Sequence, residues 1–105
     1  MRFKDDSVNP VGLRPELLFA IMVAKEVYLN RGYELVITSL NDATHSETSL
    51  HYNGCAVDLR TTVINPNEDW GSVARQIKRR LNVHYDVINE SNHIHLEFQP
   101  RNPYA

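Results

Sequence analysis

Residues 93 to 98 alternate strictly between polar and apolar side chains, and this alternation constrains the fold more than any other feature of the chain. In an extended strand, successive side chains point to opposite faces of the sheet. The polar side chains on one face are those of His93, His95 and Glu97. The apolar side chains on the other face are those of Ile94, Leu96 and Phe98. Such a strand predicts a sheet with one face in the core and one face that displays polar groups.

Residues 55 to 60 show the same division. Alternation places Cys55, Val57 and Leu59 on one side of the strand. It places Ala56 and Asp58 on the other side. Both segments therefore predict strands that carry candidate functional side chains on one face only.

Length and composition indicate a single domain spanning residues 1 to 105. A chain of 105 residues with 42% hydrophobic content can form one core but not two. The net charge of -2 and the pI near 6.2 provide no overall basic field, which argues against nucleic acid as a partner. The lone cysteine, Cys55, excludes an internal disulfide. A group of basic residues on a predicted helix is interpreted as a solvated face, and it comprises Arg75, Lys78, Arg79 and Arg80.

The sequence shows no apolar segment long enough to span a membrane and no segment of signal-peptide kind. We therefore expect no membrane partner. We also expect a product that is made without a signal peptide and stays in the cytoplasm until it is released.

Two helices are predicted from apolar periodicity and from residues typical of helix ends. The first begins at Pro15 and ends before Gly32, because proline suits the first helical position and glycine the residue past the end. Its apolar stripe is predicted to contain Leu17, Leu18, Ile21, Met22, Ala24, Val27 and Tyr28. The second helix is predicted to be capped by Asn67. Its stripe is predicted to contain Trp70, Val73, Ile77 and Leu81.

Strands are predicted between and after these helices, whereas residues 1 to 13 look like an irregular lead-in. The predicted strands are residues 33 to 38, 55 to 60, 83 to 89 and 93 to 98. This order predicts an α+β fold with a small, mainly antiparallel sheet. We expect the two helices on one face of the sheet and a metal site on the other.

The strand-like segments supply the residue types of a catalytic zinc site. Zinc binds imidazole nitrogen and carboxylate oxygen, and three protein ligands leave the fourth position open for water or substrate. His51, Asp58 and the pair His93 and His95 offer these groups. A polar loop of residues 39 to 48 leads into His51, and binding residues gather on such loops, so His45 is a further candidate.

The string from Ser49 to Asp58 resembles the Ser-x-His-x-x-Gly-x-Ala-x-Asp motif of peptidase family M15, the zinc D-Ala-D-Ala carboxypeptidases and peptidoglycan endopeptidases. It is even more similar to the hedgehog amino-terminal signalling domain, which shares that fold. The similarity is literal at Ser49-Leu50-His51-Tyr52, Gly54, Ala56-Val57-Asp58 and His93-Ile94-His95, and it spans about residues 33 to 98. The resemblance implies that His51, Asp58 and His95 ligate Zn²⁺ and that Ser49 lies beside the substrate.

Glu90 is the candidate general base, which would take a proton from the attacking water and pass it to the departing amine. Many family members carry an acid three residues before the last zinc histidine, where this chain has Asn92, so Glu90 is alternatively an ordinary hairpin residue. His93 and His45 are candidates to stabilise the oxyanion, or alternatively to orient a ligand or the substrate. Ser49 is alternatively a turn-forming hydroxyl. Glu97 is a candidate to hold a zinc ligand in place.

The resemblance implies a zinc peptidase that cuts a bond next to a D-amino acid in peptidoglycan stem peptides, either a D,D-carboxypeptidase or an L,D-endopeptidase. It also implies a bacterial or phage source, and we expect a monomer. The alternative is a non-catalytic, zinc-stabilised binding module of hedgehog type. A metal-dependent nuclease is a third possibility, but it would need a basic groove beside the site, whereas the basic face of the second helix is expected on the opposite side of the sheet. Calcium is not expected, because the chain is poor in carboxylates around Asn41 and Asp42.

Overall fold

The described part of the chain is an α+β fold with a five-stranded mixed sheet and two helices. A computed structural model describes residues 1–8, 10, 12–40 and 56–100. In chain order the elements are β1 (Arg2–Phe3), α1 (Pro15–Asn30), β2 (Val36–Leu40), β3 (Ala56–Arg60), α2 (Trp70–Arg79), β4 (Tyr85–Asn89) and β5 (His93–Phe98). The strand order is β1-β2-β3-β5-β4, and only the β1–β2 pair among these is parallel. The predicted α+β class and the mainly antiparallel pairing are confirmed.

The first strand, β1, contradicts the prediction of an irregular lead-in. The Arg2 N–H donates to the Leu35 carbonyl at 2.9 Å, and the Lys4 N–H donates to the Ile37 carbonyl at 2.8 Å. A strand of two residues is too short to produce a periodic pattern, so only its long-range partner reveals it. Two predicted strands also differ at their ends, since β2 runs from Val36 to Leu40 and β4 begins at Tyr85.

Helix α1 has the predicted ends, with Pro15 in its first turn and Gly32 just beyond it at a φ of 87°. Glycine tolerates this left-handed angle without a Cβ penalty. The predicted stripe is correct for Leu17, Ile21, Ala24, Val27 and Tyr28, which are all buried. It is wrong for Leu18 and Met22, which are 47% and 45% exposed. Each lies about 100° around the helix from the buried residue before it, outside the face that meets the core.

Helix α2 is capped by Asp69 rather than by Asn67. The Asp69 carboxylate accepts the Ser72 N–H at 3.0 Å, whereas Asn67 lies in the preceding turn with its own N–H bonded to the Asn65 side chain. The cap satisfies one of the free N–H groups that every helix start carries. No helix in the described ranges is long and apolar enough to cross a membrane.

The sheet has one covered face and one open face. The covered face of the central strands β3 and β5 carries Val57, Leu59, Ile94 and Leu96, each at most 1% exposed. These residues share one hydrophobic core with the buried residues of both helices. The opposite face displays Asp58, His93, His95 and Glu97, all partly accessible. The helices therefore cover the side of the sheet that does not carry the candidate site.

Candidate functional site

Asp58 and His95 lie directly opposite each other on β3 and β5, on the open face of the sheet. Side chains at opposed positions of an antiparallel pair are close enough to interact. The Asp58 Oδ1 and His95 Nδ1 atoms are 2.8 Å apart, which is a short, charge-assisted hydrogen bond. The backbone pairing thus brings two of the three predicted zinc ligands into direct contact.

His95 also contacts Glu97, two residues further along β5. Its Nε2 atom is 3.0 Å from Glu97 Oε1, so both ring nitrogens face a carboxylate oxygen. The Glu97 side chain is 12% exposed, which is the least of the residues in this group. Its carboxylate is therefore largely shielded from water and lies against the imidazole.

Two neighbouring carboxylates raise the pKa of His95 from 6.5 to about 9. The hydrogen bond to Asp58 is the largest cause of this rise, partial burial opposes it, and the hydrogen bond to Glu97 adds to it. In the metal-free chain at neutral pH, His95 is therefore an imidazolium that donates from both nitrogens. Binding of a metal through His95 Nδ1 would therefore require loss of the Nδ1 proton.

His93 lies between Asp58 and Glu90. Its Nε2 atom is 3.7 Å from Asp58 Oδ1 and 3.9 Å from Glu90 Oε1. Its Nδ1 atom is 2.6 Å from the Asn92 Oδ1 atom, which fixes the orientation of the ring. Asn92 stands where many M15 members carry an acid, and in this chain it positions a histidine.

Glu90 lies in the connection between β4 and β5. Its N–H donates to the His93 carbonyl at 2.8 Å, so its backbone closes the turn that brings the two strands together. Its side chain is 49% exposed and is directed toward His93. The structure therefore places Glu90 beside one predicted site residue, at a salt-bridge distance rather than a close hydrogen bond.

Three predicted site residues, His45, Ser49 and His51, lie outside the described residues. Within residues 1–8, 10, 12–40 and 56–100, no group of three or more His, Cys, Asp or Glu side chains is arranged to hold a metal ion. Asp58 and His95 fit zinc by chemistry, since they offer one oxygen and one nitrogen at a shared position. A catalytic zinc takes three protein ligands, so the pair requires a third from elsewhere, and His51 is the predicted one.

A cleft of about 400 Å³ adjoins the site and contains residues that the sequence analysis missed. Its described lining consists of Lys4, Thr38, Arg60, Val63, Asn92 and His93. Arg60 follows Asp58 by two positions and so shares its face, a signal that was present in the sequence. Lys4 reaches the cleft through the pairing of β1 with β2, which sequence periodicity does not reveal.

Comparison of the sequence with models of known protein families finds no match, and comparison with characterised proteins finds none either. The resemblance to family M15 and to the hedgehog domain therefore stands on the motif residues themselves.

Proposed function

We propose that this chain is a zinc-dependent peptidase of the M15 kind, which hydrolyses a peptide bond next to a D-amino acid in peptidoglycan stem peptides. The observation that supports it most is the 2.8 Å contact between Asp58 and His95. These two residues are 37 positions apart in sequence and match separate parts of the family motif. Their meeting on the accessible face of the sheet is what a shared metal would require.

In this proposal His51, Asp58 and His95 hold the zinc ion. Bound zinc would lower the pKa of a water molecule to about 7 and polarise the peptide carbonyl. Glu97 orients the His95 ring by accepting a hydrogen bond from His95 Nε2, and His95 Nδ1 is thereby directed at Asp58. Carboxylates that hold a ligating histidine in this way are common around protein metal sites.

Glu90 and His93 then act on the substrate. Glu90 accepts a proton from the attacking water and passes it to the departing amine. His93 lies between Glu90 and Asp58. Its Nδ1–H is donated to Asn92 Oδ1, so only the imidazolium form of His93 would donate from Nε2 to the oxyanion that forms on the peptide carbonyl. Asn92 holds the ring in place for this role. His45 would stabilise the same oxyanion, and Ser49 would contact the substrate.

A zinc-stabilised binding module without catalysis is the second candidate. Among the described residues, the only ion-pair contact of the Glu90 carboxylate is with His93, at 3.9 Å, and the side chain is half-exposed. An ordinary hairpin glutamate would have the same surroundings. Zinc bound by Asp58 and His95 would then stabilise the fold without taking part in a reaction.

The proposal is tested by measuring zinc content and then hydrolysis. We expect one zinc ion per purified chain and its loss in the Asp58→Asn variant. Mass spectrometry of muropeptides incubated with the zinc-loaded chain should show a product shortened next to a D-amino acid. Zinc without any product would favour the binding module, and absence of zinc binding at neutral pH would remove both candidates.

A further inference from the structure

The cleft beside the candidate site has a marked charge asymmetry. Its described lining contains two cationic side chains, Lys4 and Arg60, and no carboxylate. The neighbouring site is rich in carboxylates, namely Asp58, Glu90 and Glu97. An anionic group on a ligand would be repelled by the acids and attracted to the cleft.

The backbone of Arg60 is held in place at the boundary between the cleft and the site. It is the direct cross-strand partner of His93, which lines the cleft and also lies 3.7 Å from Asp58. From the covered side of the sheet, the buried Tyr28 hydroxyl donates to the Arg60 carbonyl at 2.9 Å. The backbone of Arg60 is therefore fixed both by the sheet and by a core side chain.

Both cations are accessible to a ligand within the described part of the structure. The ion pairs found there do not include Arg60. Lys4 has one loose pair, with Asp5 at 3.9 Å, in which both side chains are about half-exposed. A planar guanidinium can bind a carboxylate with two parallel hydrogen bonds, and a flexible ammonium adds a second positive charge.

We propose that Arg60, assisted by Lys4, binds a carboxylate of the peptide substrate and thereby places the scissile bond against His93 and Asp58. The choice of a peptide as the ligand rests on the proposed peptidase function. The carboxylate has two possible sources in a peptide. A C-terminal carboxylate would make the enzyme a carboxypeptidase, and a carboxylate within the chain of the peptide would allow cleavage at an internal bond.

The test compares three blocked peptides that differ in their carboxylates. N-acetyl-D-alanyl-D-alanine ends in a free carboxylate, and its C-terminal amide has none. An N-acetyl-D-glutamyl-D-alanine amide has a single carboxylate, on a side chain. Dissociation constants are measured by NMR titration of the 105-residue chain with stoichiometric zinc, and the same spectra of the peptide report any cleavage.

We expect the neutral amide to bind about tenfold to a hundredfold more weakly than one of the two carboxylate peptides, as for loss of a charge-assisted hydrogen bond. Whichever carboxylate peptide binds more tightly identifies whether the bound carboxylate is C-terminal or on a side chain. Arg60→Gln should remove this preference, Lys4→Gln should reduce it, and Arg60→Lys should retain part of it. Arg79→Gln, an exposed change of the same charge on α2, should leave it intact.

Equal binding of all three peptides by the wild-type chain would overturn the anion site, and so would an unchanged preference in a folded Arg60→Gln variant. Zinc can itself bind a carboxylate, so the preference is assigned to the cleft only when a change in Arg60 or Lys4 reduces it. If Arg60→Gln fails to fold, Arg60→Lys and Lys4→Gln provide this comparison. Hydrolysis of muropeptides with no carboxylate preference would leave the peptidase proposal standing alone. A clear carboxylate preference without hydrolysis would support the anion site and contradict the peptidase.

Discussion

His95 is positioned so that only one of its nitrogens faces Asp58. Its Nδ1 atom faces the Asp58 carboxylate, while its Nε2 atom is bonded to Glu97. A ring fixed from both sides cannot rotate to present the other nitrogen without losing two hydrogen bonds. The His95 ring is thus held in one orientation between β3 and β5.

The metal-free chain should lose stability as the pH rises from neutral to alkaline values. The pKa of His95 is raised from 6.5 to about 9 in the folded state, so its stabilising effect is complete below pH 6.5 and is lost as the pH rises through about 9. The site is partly open to water, which screens the charges, so the fall in the free energy of unfolding should be smaller than the full shift implies, on the order of 2 kcal/mol across this window. Urea unfolding in the presence of a chelator measures it, and a His95→Gln variant should show a flatter profile. Parallel profiles for the two proteins would contradict the assignment.

Glu97→Gln should weaken zinc binding without preventing folding. The amide keeps the size and one acceptor oxygen of the carboxylate but removes the charge that holds the His95 ring. Loss of such an outer partner typically costs tenfold to a hundredfold in metal affinity, so we expect a decrease of about tenfold. Competition with a chromophoric chelator measures the affinity. Glu34→Gln, whose side chain is paired with the exposed Arg2, serves as the control and should have wild-type affinity.

Glu90→Gln should slow hydrolysis while leaving zinc content unchanged. General-base catalysis contributes about a hundredfold to ten-thousandfold, and the amide cannot accept the proton. The side chain is half-exposed, so the free energy of unfolding should change by no more than about 0.5 kcal/mol. Rates on purified muropeptides are compared with those of Glu26→Gln, an exposed change on the helical side of the protein. A wild-type rate in Glu90→Gln would show that another group acts as the base.

At the scale of elements, the pattern of polar and apolar residues predicted β5 best and β1 least well. The alternation of residues 93 to 98 predicted both the bounds of β5 and the face that each side chain occupies. Helix α1 was predicted correctly at its ends because Pro15 and Gly32 have local reasons to be there. The burial of Leu18 and Met22 was predicted wrongly, since which residues at the edge of an apolar stripe meet the core depends on how the helix is rotated against the sheet.

The rotation of α1 can be tested with two adjacent substitutions. Ile21 is 1% exposed in the core, whereas Met22 is 45% exposed. Ile21→Ala should reduce the free energy of unfolding by about 2–5 kcal/mol, because it removes buried methyl groups and leaves a cavity. Met22→Ala should change it by no more than about 0.5 kcal/mol. Chemical denaturation of both variants provides the comparison, and equal losses would mean that the helix faces the sheet differently.

At the scale of the whole molecule, the sheet has the hydrophobic core on one face and the candidate site on the other. The helices and the core occupy one face, and the candidate site and its cleft occupy the other. The sequence predicted this division from two alternating segments, and it predicted that Asp58 and His95 would belong to one site. It did not predict the cationic cleft, because Lys4 joins Arg60 only when the start of the chain pairs with β2. Motif residues lie close together in sequence and can be recognised there, whereas the lining of a cleft comes from segments that are distant in sequence.

The candidate site forms only when β3 pairs with β5 in the observed register. Asp58 meets His95 and Arg60 meets His93 only when the two strands align as observed. A slip by a single position would turn Ile94 and Leu96 toward water and push both histidines into the hydrocarbon interior. A misaligned form would therefore expose apolar side chains to water and lack the candidate site. If the chain binds zinc as proposed, metal uptake would measure the fraction of a preparation that has reached the native state.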